Sequence, residues 1–208
     1  MDLTSTSREF NGWDRIYSLS DPLASRPFRG SLQLDSGAEA YALTRGELVP
    51  ATPVTVTHAS GGQPSDVIWT TYAIPLLVNS RVVDILSDGG FTGWSTYEVS
   101  VFSRAADEIK GYRGLAITGR CGPLDYSKSD VFLRQFPAGA FPAYRGLYFD
   151  VDTWDGSDLL MPEGSGHIFV VEAVKRALQR ASVRNIRFTK LSEEVTDRAS
   201  VSRFRGDS

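Results

Sequence analysis

Apolar residues recur at helical spacing in two segments of the chain. In the first, the apolar positions i, i+4, i+7 and i+8 define one face and are occupied by Val78, Val82, Ile85 and Leu86. Pro75 suits the first helical position, where its missing N–H costs nothing, and Gly89 or Gly90 suits the end of the last turn. The pattern predicts a helix over about 75–87.

The second helical pattern lies nearer the C-terminus, over about 171–181. The same spacing is kept there by Val170, Val174, Ala177, Leu178 and Ala181. Lys and Arg side chains occupy most of the opposite positions, so the predicted helix has one apolar and one basic face.

Alternating and β-branched runs predict short strands in much of the remaining chain. The predicted strands cover residues 31–34, 54–57, 66–70, 96–102, 115–118, 147–151, 168–170 and 185–191. Residues 8–20 are predicted to form a short strand or turn whose aromatic side chains pack inward. Gly and Pro interrupt every run between 21 and 65, so we expect loops and short strands there and no helix.

Two helices among many short strands, without regular alternation, predict an α+β fold with a mixed or largely antiparallel sheet. We expect a single sheet with both helices packed on one face. The 208 residues suit one domain. Within it, residues 1–65 are predicted to be a loop- and strand-rich portion, 66–192 the core, and 193–208 a flexible tail.

Composition limits the compartment and the partners. The single cysteine, Cys121, excludes an internal disulfide and a cysteine-rich zinc site, which fits a reducing cytoplasm. No stretch approaches the roughly 18 apolar residues of a spanning helix, and the N-terminus lacks the apolar core of a signal peptide. A net charge of -3 gives no overall attraction to nucleic acid or to anionic lipid. We therefore expect a cytoplasmic protein that binds neither nucleic acid nor membrane.

Charge is distributed unevenly along the chain. Residues 175–208 hold 9 basic and 4 acidic residues, a balance of +5, whereas residues 1–174 hold 13 and 21, a balance of -8. The extreme is 146–174, with six acidic residues and no Lys or Arg. The distribution predicts an acidic loop region and a basic C-terminal segment, which either neutralise each other or face different surroundings. Nucleic-acid contact by the basic segment is a further hypothesis, although a solvated helix face accounts for the same residues.

The common catalytic and nucleotide-binding signatures are missing from the sequence. It contains no GxxxxGK[ST], GxGxxG, HExxH, CxxC or GxSxG motif. Pairing of Cys121 with His58 or His167 would create a thiolate nucleophile. A small buried residue between Gly119 and Gly122 accounts for the same cysteine. We predict no catalytic residue, no metal ligand and no cofactor.

The run YFDVDTWDGSD, residues 148–158, concentrates carboxylates around one tryptophan. Its spacing superficially resembles a calcium loop, but the twelfth position from Asp150 is Met161, where that loop has glutamate. An Asx-rich turn accounts for the same residues. The remaining alternative is a partner-binding surface, on which carboxylates steer the encounter and the tryptophan is an anchor. The residues predicted for that surface are Asp150, Asp152, Trp154, Asp155 and Asp158.

Several blocks of the sequence resemble a family of immunity proteins encoded in bacterial polymorphic-toxin and secretion-system effector loci, many of them myxobacterial. The blocks that carry the resemblance are residues 66–69, 81–84, 93–94, 111–115, 118–127 and 146–158. The last two, TGRCGPLDYS and GLYFDVDTWDGSD, are the most specific when taken together. The first sixty residues match only loosely.

The resemblance implies a cytoplasmic, non-enzymatic protein that binds a cognate toxin and neutralises it by covering its active site or substrate surface. It implies no catalytic residues. The alternative function is a metal-dependent enzyme or a metal-binding module that uses the carboxylates between Asp150 and Asp158, with His167 contributing. The sequence leaves the toxin's chemistry and the oligomeric state open.

Overall fold

Short strands make up most of the regular structure. The computed structural model describes residues 12–34, 36–71, 74–137 and 139–197. Its strands are β1 (Ile16–Ser20), β2 (Arg29–Leu32), β3 (Val54–Ser60), β4 (Val67–Trp69), β5 (Leu76–Asn79), β6 (Trp94–Phe102), β7 (Glu108–Ile109), β8 (Tyr112–Ile117), β9 (Gly119–Cys121), β10 (Asp130–Phe136), β11 (Gly139–Arg145), β12 (Leu159–Pro162), β13 (Ile168–Val171), β14 (Arg187–Lys190) and β15 (Val195–Asp197). The α-helices in these ranges are α1 (Gly37–Arg45), α2 (Ser80–Asp88) and α3 (Glu172–Arg180).

The strands form three sheets, where a single sheet was expected. A seven-stranded sheet has the order β2-β3-β6-β8-β5-β4, with β7 beside β6, and a five-stranded sheet has the order β14-β1-β13-β12-β9. The third sheet, β10-β11-β15, has three strands. Neighbouring strands run antiparallel except for β3 with β6 and β9 with β12, which are parallel. The predicted α+β class with mixed, largely antiparallel strands is confirmed.

Three apolar clusters lie on the faces of the two larger sheets. The first is shared by both sheets and by α2 and α3, the second lies on the other face of the seven-stranded sheet under α1, and the third lies on the other face of the five-stranded sheet. Alternate residues of one strand enter different clusters: Ile168 and Val170 join the first, and Phe169 joins the third. Burial on both faces explains why these strands are apolar without alternation.

The first predicted helix begins later than expected. Residues 76–79 form β5, and α2 begins at Ser80 after Asn79, whose side chain accepts a hydrogen bond from the backbone N–H of Val82. Placing Pro75 at the first helical position was therefore wrong, because the run after it is buried on both faces of a sheet. The predicted end is confirmed, since α2 stops at Asp88 before two glycines. The predicted C-terminal helix is confirmed as α3.

The expectation of loops and short strands throughout 21–65 was wrong for α1. This helix begins after Ser36, whose hydroxyl accepts a hydrogen bond from the backbone N–H of Glu39 (3.2 Å), and ends at Gly46, which has φ 68°. Ala40 and Leu43 are its buried apolar residues, too few for a recognisable stripe. The spacing of Ser36 and Glu39 was the available signal, because it is typical of a capping box.

The predicted central strand at 147–151 was also wrong. Leu147 and Phe149 are fully buried in the third cluster, but the backbone makes only an isolated bridge between Phe149 and Leu124 before a 3-10 turn at Val151–Thr153. In the segment predicted as a flexible tail, β15 pairs with β11, and residues 198–208 lie outside the described part. Of the strand or turn predicted at 8–20, the part up to residue 11 also lies outside it.

Candidate functional site

The predicted partner-binding residues fall in one segment, residues 150–158, called the acidic loop below. Three of its four carboxylates accept hydrogen bonds from the backbone. Asp150 accepts from the N–H of Asp152 (3.1 Å) and so caps the 3-10 turn. Asp155 accepts from the N–H of Arg120 (2.8 Å), and Asp158 accepts from the N–H of Thr92 (2.9 Å). The bonds from Arg120, in β9, and from Thr92, just before β6, attach the acidic loop to the two larger sheets.

The chemistry of Asp155 fits this anchoring role. Burial opposes ionisation of the carboxyl, but hydrogen bonds from the side chain and backbone of Ser157 and from the backbone of Arg120 outweigh it, so the pKa lies below its ordinary value. Trp154 is half-buried against the third cluster, and its indole N–H donates to the carbonyl of Ser157 (3.1 Å). Asp152, by contrast, is exposed, and its carboxylate has no hydrogen bond or ion pair among the described residues.

The structure therefore brings the five predicted residues together, but it gives most of them a structural task. Their role in partner binding stays a prediction. The metal alternative gains no support from the acidic loop, because the described residues contain no group of three or more His, Cys, Asp or Glu side chains placed to hold an ion.

The candidate nucleophile is not activated. Cys121 is buried in the third cluster, and burial, with a smaller contribution from the charge of Asp155, raises the pKa of its thiol to about 12. His58 is engaged elsewhere, since its ring nitrogen is 2.8 Å from the carbonyl oxygen of Gly61. The thiol is consequently protonated at neutral pH, as a small buried core residue would be.

His167 lines a cavity of about 270 Å³ at one edge of the five-stranded sheet. Burial lowers the pKa of its imidazole to about 4, so the ring is neutral at neutral pH. The backbone N–H of His167, and not its ring, donates a hydrogen bond to the hydroxyl oxygen of Ser165 (3.2 Å). Nearby, Asp21 is paired with Arg29 (2.6 Å). Among the described residues, no hydroxyl is hydrogen-bonded to this imidazole as a serine nucleophile would be.

Three of the five exposed large apolar side chains in the described ranges lie on the hairpin of β10 and β11, which sequence reasoning did not single out. One side, the aromatic face, carries Phe132, Arg134, Phe136, Phe141 and Arg145. The other side, the aliphatic face, carries Val131, Leu133, Ala140 and Pro142. Val131, Leu133 and Phe141 are 64%, 69% and 49% exposed, whereas the large apolar residues described in the two larger sheets are all buried or half-buried.

The aromatic face is held in order by stacking. The guanidinium of Arg134 lies 5.1 Å from the ring centroid of Phe136, and that of Arg145 lies 5.1 Å from the ring of Phe132. The rings of Phe136 and Phe141 are 6.0 Å apart. Neither arginine has an ion pair with any described carboxylate. Their guanidinium edges are thus available to a partner.

The hairpin could not be recognised because its sequence is apolar on both faces. VFL in β10 and AFPAY in β11 have the composition of strands buried on two sides, and only the position of the third sheet at the periphery exposes them. The signal that was present is the pair of arginines among phenylalanines, a residue mixture typical of binding hot spots.

Comparison with known proteins adds no relative. The chain matches no family model. No curated protein is significantly similar to it. The resemblance to immunity proteins therefore stays a prediction. No helix in the described ranges is both long enough and apolar enough to span a membrane.

Proposed function

We propose that this protein is a cytoplasmic immunity protein that binds a cognate bacterial toxin and blocks it by covering a functional surface, without catalysing a reaction. The observation that carries the proposal is the aromatic face, on which the exposed side chains of Arg134, Phe141 and Arg145 stack with the half-buried rings of Phe132 and Phe136. Monomeric proteins rarely expose contiguous apolar patches of this kind unless the patch binds something. The resemblance of the sequence blocks to immunity proteins suggests the class of partner.

The composition of the aromatic face suits protein binding. Phenylalanine and arginine are enriched at interfaces, and a few such residues carry most of the binding free energy. Stacking on Phe132 and Phe136 already restrains the two arginines, which reduces the side-chain entropy lost on binding. We expect Phe141 and Arg145 to be central contacts, with a loss of about 2 kcal/mol or more when either is truncated.

The acidic loop is proposed to influence the approach of the toxin. Its four carboxylates are close together in the sequence with no Lys or Arg between residues 146 and 174, so they create a negative field near the surface. Asp152 is the position for testing this contribution, because its exposed carboxylate has no structural partner among the described residues. Charge reversal at Asp155 or Asp158 would also remove the hydrogen bonds that anchor the loop.

The function is tested with the toxin encoded beside the gene. Co-expression should restore growth of cells that produce the toxin, and the two proteins should co-purify as a complex. Failure of both would reject the proposal. If growth is restored without a complex, the protein acts on the toxin or its product by another route, and the binding mechanism is wrong.

The contact surface is tested with a matched pair of substitutions. Phe141→Asp places a carboxylate on the aromatic face, and Val49→Asp places one at an 81% exposed apolar residue outside the hairpin. Phe141→Asp should weaken toxin binding at least about 30-fold, corresponding to about 2 kcal/mol, while Val49→Asp should leave the affinity within about twofold. Equal affinities for the two variants would exclude the aromatic face as the contact.

A further inference from the structure

The outer edge of the hairpin is formed by β10, a seven-residue strand that pairs only with β11 among the described strands. It contains no proline and its register with β11 has no bulge. Proteins usually protect such an edge, because its free N–H and C=O groups pair readily with another strand. Here Val131 and Leu133 are also exposed on one face beside the edge, and the half-buried Phe132 lies on the other, so pairing would cover side chains as well as backbone groups.

We propose that β10 pairs antiparallel with β10 of a second copy of this chain, about a twofold axis at Phe132. A twofold axis perpendicular to the sheet keeps like faces together and gives each contact twice. In this register Asp130 lies opposite Arg134 of the partner subunit, and Val131 lies opposite Leu133 of the partner subunit. The sequence DVFLR is therefore complementary to itself in charge and in apolar character.

Neighbouring registers of the same symmetry lose this complementarity. Centring the axis on Leu133 places Asp130 opposite Phe136 of the partner subunit, and no ion pair forms. Centring it on Val131 places Asp130 opposite Phe132 of the partner subunit and leaves Arg134 beyond the end of the partner strand, so no ion pair forms there either. Opposite-charge cross-strand pairs stabilise a sheet and like-charge pairs destabilise it. The register centred on Phe132 is consequently favoured.

The two charged residues are available for this pairing. Within a single copy, neither Asp130 nor Arg134 forms an ion pair with a described residue, although Asp130 lies opposite Arg145 in the register of β10 with β11. Pairing would join the two three-stranded sheets into one of six strands, β15-β11-β10-β10-β11-β15. The two aromatic faces would then lie on the same side of that sheet as one continuous surface.

The strength of the association follows from its size. In this register residues 130–134 of the two copies pair, and so short an edge buries less than the roughly 800 Å² per partner of a standard stable interface. We therefore expect a weak dimer, with a dissociation constant of about 1 to 100 µM. Sedimentation equilibrium of the full chain, in the absence of any toxin, should show a reversible monomer–dimer equilibrium in this range.

The decisive test uses two opposite charge reversals. Asp130→Lys and Arg134→Glu each convert both cross-strand ion pairs into like-charge pairs, so either variant alone should have a dissociation constant raised at least about tenfold. An equimolar mixture of the two variants should recover dimerisation, because the mixed dimer again has two opposite-charge pairs. The introduced lysine at position 130 of the first chain faces the introduced glutamate at position 134 of the second, and the native Arg134 of the first faces the native Asp130 of the second. Native mass spectrometry distinguishes this mixed dimer by mass.

The control is the same pair of charge changes at an exposed turn outside the hairpin, Asp107→Lys and Arg104→Glu, which should leave the dissociation constant unchanged. A wild-type protein that remains monomeric up to about 300 µM would overturn the proposal. It would equally be overturned if the single variants dimerised like the wild type, or if mixing them restored nothing. Because the toxin is absent from these measurements, their outcome is separate from that of the proposed function.

Discussion

Asp66 is a buried carboxylate that joins three parts of the fold, and its removal gives a sharp test of how the first cluster is held together. It is 5% exposed and lies just before β4. One oxygen accepts a hydrogen bond from the side-chain amide of Asn79 (3.0 Å), and the other accepts from the backbone N–H of Arg184 (2.8 Å). The guanidinium groups of Arg81 and Arg184 are each 3.6 Å away. The start of α2 and the segment after α3 are thereby fixed to one side chain.

The expected effect of Asp66→Ala follows from the groups left behind. The Arg184 amide and the Asn79 side chain would lose their acceptor, and an unsatisfied buried group costs about 1–3 kcal/mol. The exposed arginines add little, because such ion pairs are worth about 0–1 kcal/mol. We expect the free energy of unfolding to fall by about 3 kcal/mol, which corresponds to a melting temperature lowered by about 6–12 °C for a chain of this length.

The assay is urea unfolding followed by tryptophan fluorescence, with Asp107→Ala at an exposed turn as the matched control. The control should change the free energy of unfolding by less than about 0.5 kcal/mol. If Asp66→Ala were no more destabilising than this control, the carboxylate would not join the three segments as described. A change in the urea m-value would indicate that the substitution alters the compactness of the folded or the unfolded state. The variant and its control would then be compared by their melting temperatures.

The pH dependence gives an independent check on Asp66. Burial opposes its ionisation, but the hydrogen bonds from Arg184 and Asn79 and the nearby arginine charges outweigh it, so the pKa of the folded state lies below the ordinary 3.8. A carboxyl with a lowered folded pKa stabilises the protein fully above its unfolded pKa, and the stabilisation is lost as the pH falls through the folded pKa. The difference between wild type and Asp66→Ala should therefore be constant above about pH 5 and shrink below about pH 4. A difference that grew on acidification would contradict the reasoning.

Three further predictions concern buried groups. Leu147→Ala should lower the free energy of unfolding by about 2–5 kcal/mol in urea titrations, because this fully buried side chain fills the third cluster despite lying outside any strand. Cys121 should resist an aromatic disulfide reagent at pH 8 in the native protein and react at once in denaturant, since burial raises the pKa of its thiol to about 12. Rapid reaction of the native protein would show that the thiol is accessible. Stability should fall between about pH 6.5 and 4 with a slope of up to about 1.4 kcal/mol per unit, because His167 is neutral when folded and protonated when unfolded. His167→Gln should flatten that slope.

Helices and strands were predictable where the apolar pattern along the sequence matches the faces that the fold buries. The apolar stripe of α3 meets the core on one face, so helical spacing and burial coincide. Around α2, helical spacing and burial conflict. The strand β5 continues directly into the helix, and the leucines and valine of β5 are buried on both faces of a sheet. Leu76, Leu77 and Val78 satisfy either pattern, and only the neighbouring strands β4 and β8 decide between them. A boundary of this kind depends on tertiary pairing and is not encoded locally.

The exposure of side chains at the candidate site likewise could not be predicted from the sequence alone. Phe149 and Phe141 lie in similar apolar runs, yet the first is fully buried and the second is 49% exposed. The difference arises because residues 146–154 cover the five-stranded sheet, whereas in the small sheet Tyr144 contacts Tyr126 and Ala143 is buried but Phe141 stays exposed. The acidic loop was located correctly as a turn-rich segment, but the sequence could not reveal that its carboxylates hold Thr92 and Arg120. Those partners are distant along the chain and meet it only in the fold.

The two surfaces differ in the physical effect that each can have on a partner. The carboxylates of the acidic loop act on a partner at a distance through their charge, although one oxygen of Asp150, both oxygens of Asp155 and one of Asp158 already accept hydrogen bonds within the fold. The aromatic face has the opposite character, because Arg134 and Arg145 are stacked on rings and lack ion pairs with described residues.

Long-range charge mainly alters association rates, whereas close contacts mainly alter dissociation rates. Asp152→Lys should therefore change the association rate and its dependence on salt, and Phe141→Asp should accelerate dissociation of the toxin complex. If both substitutions acted on the same rate constant, the division of roles between the acidic loop and the aromatic face would be wrong.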